Sequence, residues 1–253
     1  DGLSISGVRK MQVLFKDIDL TNQPINIACG FSALPITLLF TAYANETRTS
    51  LMNIKGSIIS DPYEYLLTKG DLPISLNQIF DEMKLATELM VKSNSPIKTI
   101  GASGFTFNNA GANAVQELAF TLATSAEYLN EIISRGLKAD DAAKRIKFTF
   151  GIGSFYFMEV AKLRAARVLW SKILEAYKVK EENRKIFIHG QSSKFNQTFF
   201  DPFVNSLRTT TEAFSAIVGG VDSLQTNAYD ESFNDSDDFS RRLARNTQII
   251  LKE

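Results

Sequence analysis

The feature that most constrains this chain is an alternation. Short runs rich in β-branched and apolar residues, at 24–29, 53–59, 97–102, 146–151, 185–189 and 223–226, are each followed by a longer segment with apolar residues at helical spacing. Each run is apolar enough to be buried on both faces, as parallel strands are. The helix candidates are 34–45, 76–92, 112–134, 155–177, 202–218 and 239–252. Ser75 and Asp238 stand where N-caps are expected, and Gly136 where a helix should stop. Along 155–170, Phe155, Met158, Leu163 and Val168 mix with Glu159, Lys162, Arg164 and Arg167, which predicts an apolar face against a sheet and a charged face in water.

Strand alternating with helix implies a parallel sheet wrapped by helices, and the expected fold is a TIM-like (β/α)8 barrel of which about six β/α units are visible. The competing doubly wound sheet usually carries a Gly-rich phosphate turn after its first strand, and no G-x-G-x-x-G or Walker pattern occurs. Gly151-Ile152-Gly153 reads as a tight strand-to-helix turn. Polar loops at 191–197 and 230–238 fall after strands, where α/β barrels place functional residues.

Charge narrows the partners. The 28 Lys and Arg balance 28 Asp and Glu, so the basic excess that holds a nucleic acid or an anionic membrane is absent. The apolar run 33–44 is too short to span a bilayer, and no membrane partner is expected. One cysteine, Cys29, forms no internal disulfide and no thiolate cluster, which fits a reducing, cytoplasmic setting. The chain opens Asp1-Gly2-Leu3-Ser4, without an initiator Met or a leader pattern, and reads as part of a longer protein.

The chemical inventory is thin. His189 is the single histidine, read either as a general base needing a nucleophile and an acid or as a hydrogen-bonded structural residue at a barrel rim. Arg208-Thr209-Thr210-Thr211-Glu212 reads as an anion site at a helix start or as an amphipathic helix face. Asp230 and Glu231 suggest paired carboxylates or a solvated acidic loop, and no metal-ligand spacing is present.

Two stretches are more specific. Phe150-Gly151-Ile152-Gly153 with Phe157-Met158-Glu159-Val160-Ala161-Lys162-Leu163-Arg164-Ala165-Ala166-Arg167-Val168-Leu169-Trp170 resembles a signature of methylmalonyl-CoA mutase and its adenosylcobalamin-dependent relatives. Arg208-Thr209-Thr210-Thr211-Glu212-Ala213, Gly219-Gly220, Thr226-Asn227, Asp230-Glu231 and Arg245-Asn246-Thr247-Gln248 resemble the family's C-terminal barrel region. The resemblance extends back to about Met11. It implies an acyl-CoA mutase barrel domain over 1–253, a chain that starts after the second barrel strand, and a cobalamin domain lying outside it.

Departures from the pattern carry the functional expectation. Active members read Ser-Gly-Tyr-His after the fifth strand, where this chain has Ser103-Gly104-Phe105-Thr106. The phenol and the imidazole are both replaced, and Thr106 cannot become a cation at a thioester carbonyl. Ile59 stands for an amide, Lys69 is the nearest match to a carboxylate-pairing Arg, and Phe187 for an Arg that contacts CoA. His189, Gln191, Asn227 and Glu231 match positions toward the adenosyl group, while Asp222 and Gln225 differ from theirs. Loss of one preorganised donor typically costs on the order of 10²–10³ in rate, so these changes predict a silent barrel. The implied protein is the non-catalytic small (beta) subunit of a heterodimeric mutase. It would bind no cofactor or metal itself, with adenosylcobalamin held by the large (alpha) catalytic partner. The alternatives are an active acyl-CoA mutase of altered specificity and an unrelated ligand-binding barrel.

Overall fold

The computed structural model describes residues 3–253. Its elements in chain order are α1 (Val8–Leu14), β1 (Ile25–Ala28), α2 (Ala33–Glu46), β2 (Gly56–Ser60), α3 (Pro62–Lys69), α4 (Leu76–Lys92), β3 (Lys98–Ser103), α5 (Phe105–Asn109), α6 (Ala114–Ser134), α7 (Ala139–Ala143), β4 (Ile146–Ile152), α8 (Tyr156–Ala176), β5 (Ile188–Ser192), α9 (Val204–Gly219), β6 (Ser223–Gln225) and α10 (Asp238–Lys252). The strands form one sheet in the order β1-β2-β3-β4-β5-β6. Pairing is parallel from β1 to β3 and from β4 to β6. Right-handed crossovers with no reversal of strand order send every connecting helix to the same side, whereas a doubly wound sheet reverses at a switch point. The topology is therefore that of a partial α/β barrel with six strand–helix units.

Two compact units divide the chain. The first takes the residues to Gly101 with Ser125–Lys147 and Tyr177–Asn183, and the second takes Ala102–Thr124, Phe148–Ala176 and Arg184–Glu253. The core of the first joins Met11, Leu20, Ile25, Phe40, Tyr43, Ile54, Ile58, Met90 and Ile97. In the second, Phe148 of β4 meets Trp170 of α8 edge-on with ring centroids 4.9 Å apart, and α8 packs on α9.

Several boundaries moved for identifiable reasons. β5 runs Ile188–Ser192 instead of 185–189 because its ladder begins where β4 offers partners, at Phe148 opposite Ile188, and continues through Gly190 and Gln191 with β6 on the other side. Pairing thus overrides the low strand propensity of those residues. β2 starts at Gly56 because Leu51–Asn53 forms a 3-10 turn. The last helix is capped by Asp237, whose side chain accepts from Ser240 N at 2.8 Å, so Asp238 is its first residue and not its cap. Ser75 caps α4 as expected, accepting from Gln78 N, and Gly136 follows α6 with φ +91°.

The face expected of α8 is inverted at its start. Glu159 and Lys162 are only 4% and 3% exposed, while Phe155 and Met158 are 79% and 52% exposed. Beyond that first turn Val160, Leu163, Ala166, Trp170 and Leu174 form the buried stripe. Among the described residues no helix is long and apolar enough to cross a membrane.

Candidate functional site

Each position singled out by the resemblance lies near the end of a strand or in the segment following it, apart from Phe187 and His189, which lie at the start of β5. Ile59 and Lys69 belong to the first unit; Phe105, Thr106, Phe187, His189, Gln191, Asn227 and Glu231 belong to the second.

In the first unit the chain turns from β2 into α3 through Asp61, which precedes Pro62, a residue suited to the first helical turn. Asp61 caps α3 by accepting from Glu64 N at 3.0 Å and also accepts from the Tyr128 hydroxyl at 2.6 Å. That hydroxyl in turn accepts from Tyr63 N at 3.0 Å. Burial, with the Asp61 carboxylate beside it, pushes the Tyr128 phenol well up. Asp61 is thereby committed to local structure. Ile59 packs against Gly101, where an added Cβ would stand 3.0 Å from its Cδ1. Lys69 is exposed in the last turn of α3, where its charge complements the helix C-terminus.

In the second unit Gly104 donates to Thr149 O at 2.7 Å and leads into α5. An added Cβ there would fall under 3.0 Å from Thr121 Oγ1 and at 3.0 Å from Glu117 Cγ, so only glycine lets α6 approach. Phe105 and Thr106 form the first turn of α5, both half-buried. Phe187 is half-buried just ahead of β5, its carbonyl accepting from Phe148 N at 2.9 Å.

His189 is the second residue of β5, not its end, and its Nδ1 lies 2.8 Å from Ser223 Oγ of β6. Gln191 pairs with Gly151 and Gln225 in the ladder. Asn227 is buried and ties the end of β6 to β5, its backbone N donating to Ser192 Oγ at 2.7 Å and its Nδ2 to Ser192 O at 2.8 Å. Its Oδ1 is buried with no hydrogen-bond partner. Asp230 and Glu231 do not form a carboxylate pair: Asp230 accepts from Ser236 Oγ at 2.8 Å, whereas Glu231 meets Lys194 Nζ at 2.9 Å and Ala228 N at 3.2 Å. Sequence neighbours in a turn point different ways, which is the physical reason. Asp222 accepts from Ile188 N at 2.8 Å, and Gln225, at the end of β6, is exposed.

The expected anion site at 208–212 is also corrected. α9 begins at Val204, so Arg208 lies a turn inside the helix, away from its free N–H groups. Thr209 and Glu212 of this run are buried.

What the sequence reading missed is a buried charged network. Lys162 Nζ of α8 contacts Glu117 Oε2 of α6 at 2.6 Å, Glu159 Oε2 at 2.5 Å and Gly151 O at 2.5 Å. Glu117 Oε1 accepts from Gly151 N at 2.7 Å, so the ion pair holds both backbone groups of one residue of β4. Asn108 closes on the same point, its Oδ1 accepting from Ser193 Oγ at 2.7 Å, and an added Cβ on Gly151 would stand 2.5 Å from Asn108 Cγ. Burial pushes the Glu117 carboxyl up to about 7 against the pull of Lys162, and burial with Glu159 nearby pushes Glu212 up to about 8. Burial works against the Lys162 charge, but Glu117 and Glu159 hold its pKa above the ordinary value. The available signal was Glu159 and Lys162 at i,i+3 spacing on a helix otherwise rich in apolar residues.

With this geometry established, comparison with known proteins is decisive for the family. The sequence matches the family described as methylmalonyl-CoA mutase across residues 1–253. The chain belongs to that family. It is 39% identical to the methylmalonyl-CoA mutase small subunit of Porphyromonas gingivalis over 97% of this chain and 40% of that protein. It is 38% identical to the methylmalonyl-CoA mutase of Escherichia coli over the whole chain and 35% of that protein. The large subunit of Porphyromonas gingivalis is 36% identical over the whole chain and 35% of its own length. The chain therefore spans little more than a third of the length of these mutase-family relatives.

Proposed function

We propose that this chain is a barrel domain from the non-catalytic small subunit of an adenosylcobalamin-dependent methylmalonyl-CoA mutase, supporting a large subunit that interconverts methylmalonyl-CoA and succinyl-CoA. The observation that carries the reading is the pair Phe105-Thr106, half-buried in α5 where active members have a phenol and an imidazole. Neither side chain can donate a proton or place a positive charge at a thioester carbonyl.

The retained positions support the same reading. A group held by His189, Asn227 and Glu231 needs their polar atoms, yet His189 is bonded to Ser223, Glu231 to Lys194 and Ala228, and Asn227 to Ser192. Only Asn227 Oδ1 of these is left over. This set does not fit a cofactor gripped through these side chains, and the proposed holder of adenosylcobalamin is the partner. A two-subunit arrangement is supported by relatives that carry small-subunit and large-subunit names.

Near-equal identity to a small subunit and to a mutase named without that qualifier, 39% and 38%, keeps one alternative in play: an active acyl-CoA mutase of altered specificity. One experiment separates the two. The full-length protein containing this chain is incubated with adenosylcobalamin and methylmalonyl-CoA, alone and with a mutase large subunit. Turnover that requires the large subunit, together with a stable complex on gel filtration, is the expected result; turnover by the protein alone overturns the proposal.

A further inference from the structure

The second unit contains a cavity of about 650 Å³ whose wall includes none of Phe105, Thr106, His189, Gln191, Asn227 or Glu231. Its exposed side is apolar, formed by Val115, Phe155, Met158 and Phe195, with Phe155 79% and Phe195 64% exposed. Its buried side is polar, formed by Asn108, Ser193, Asn196 and Glu159. Glu159 is the one ionisable group among the described residues of the wall, and it is 4% exposed. Its Oε2 is taken by Lys162. Its Oε1 lies beside Gly153, within 3.3 Å of where a Cβ would be, and Gly153 is itself part of the wall.

Charge balance behind this wall is uneven. Glu117, Glu159 and Glu212 are all buried, and Lys162 is the cation in contact with the first two. Arg208 acts on Glu212, and Asn196 and Ser193 hydrogen-bond it. Three carboxylates therefore face two cations, and a buried charge without a partner is costly. We propose that the cavity binds an alkylammonium group, its apolar body against Phe155, Met158 and Phe195 and its ammonium donating to the Glu159 carboxylate. The elevated proton affinity of Glu117 and Glu212 agrees with this charge excess. Protons neutralise it when the cavity is empty, and an ammonium displaces them. Binding thus releases protons and strengthens as pH rises toward 8. The inference does not depend on whether the chain is catalytically silent.

The test is calorimetry on the intact chain with three probes of matched shape: 2-phenylethylammonium, neutral 2-phenylethanol and anionic 3-phenylpropionate. The expected order is ammonium tightest by tenfold or more, then the alcohol, then the anion. Titration in buffers of different ionisation enthalpy is expected to show proton release for the ammonium alone. Glu159→Gln weakens the ammonium at least tenfold and leaves the alcohol unchanged. Phe155→Ala, at an exposed position that cannot unfold the chain, weakens both probes. Nα-acetyl-lysine amide binding as tightly as the free amine assigns the site to lysine side chains; binding of the amine alone assigns it to small amines. Equal binding of ammonium and alcohol, a preference for the anion, no binding of any probe, or a folded Glu159→Gln that binds the ammonium normally overturns the inference.

Discussion

Replacing Lys162 by Met tests whether the buried ion network holds the second unit together. The ammonium contacts two carboxylates and the Gly151 carbonyl, and its side chain has no solvent exposure. Met fills most of the volume, so the change isolates the charge. Removing one partner of a buried pair leaves an uncompensated charge at a cost of about 3–5 kcal/mol. For a chain of this size that lowers the melting temperature by roughly 6–20 °C, at about 2–4 °C per kcal/mol. Glu117→Gln is a milder change, because Gln still accepts from Gly151 N and Lys162 keeps Glu159; it should cost about 1–3 kcal/mol. The single tryptophan, Trp170, is buried in the same unit against Phe148 and reports unfolding by fluorescence. At pH 5 the penalty of Lys162→Met should shrink, because Glu117, with its carboxyl at about 7, then carries a proton. A loss below about 1 kcal/mol at pH 8, or a penalty that grows on acidification, would refute the assignment of stability to this network.

Three further outcomes follow from the same physics. Glu117 and Glu212 titrate near 7 and 8 when folded against an ordinary 4.5, so the folded state holds more protons across that window. Their contribution is complete below about pH 4.5 and is lost as pH rises to about 8; the urea midpoint attributable to them should fall over that range, and Glu212→Gln should flatten the slope. Tyr128→Phe strips Tyr63 N of its acceptor and Asp61 of a donor. It should cost about 1.5–3 kcal/mol in urea unfolding, against near zero if the hydroxyl is idle. Gly104→Ala drives a methyl into Thr121 and Glu117 and should destabilise by about 1–3 kcal/mol in a thermal melt. An unchanged melting temperature would mean that α6 is free to move away.

Strand and helix were legible because period and composition are local properties. All six strands and the six long helices fall where the apolar spacing puts them, and α4 matches to the residue. The short helices α1, α3, α5 and α7 are too brief to show a period, although Asp61-Pro62 carries a cap signal that reads as one in retrospect. Family membership was equally available, since it rests on runs such as Phe157–Trp170 that need no coordinates.

Partner choice among polar groups was not legible, because it depends on residues far apart in sequence. Nothing local distinguishes Glu159 and Lys162, which go inward, from Arg164, which stays outside; that choice is made by Glu117 on α6 and the backbone of Gly151 on β4. In the same way, Asp230 and Glu231 are adjacent in the chain yet turn to Ser236 and Lys194. The amino-acid sequence by itself determined the alternation of elements and the loss of the imidazole and phenol at 105–106. Tertiary structure alone decided which charges are buried together, because desolvation and hydrogen-bond geometry act only once α6, β4 and α8 are packed side by side.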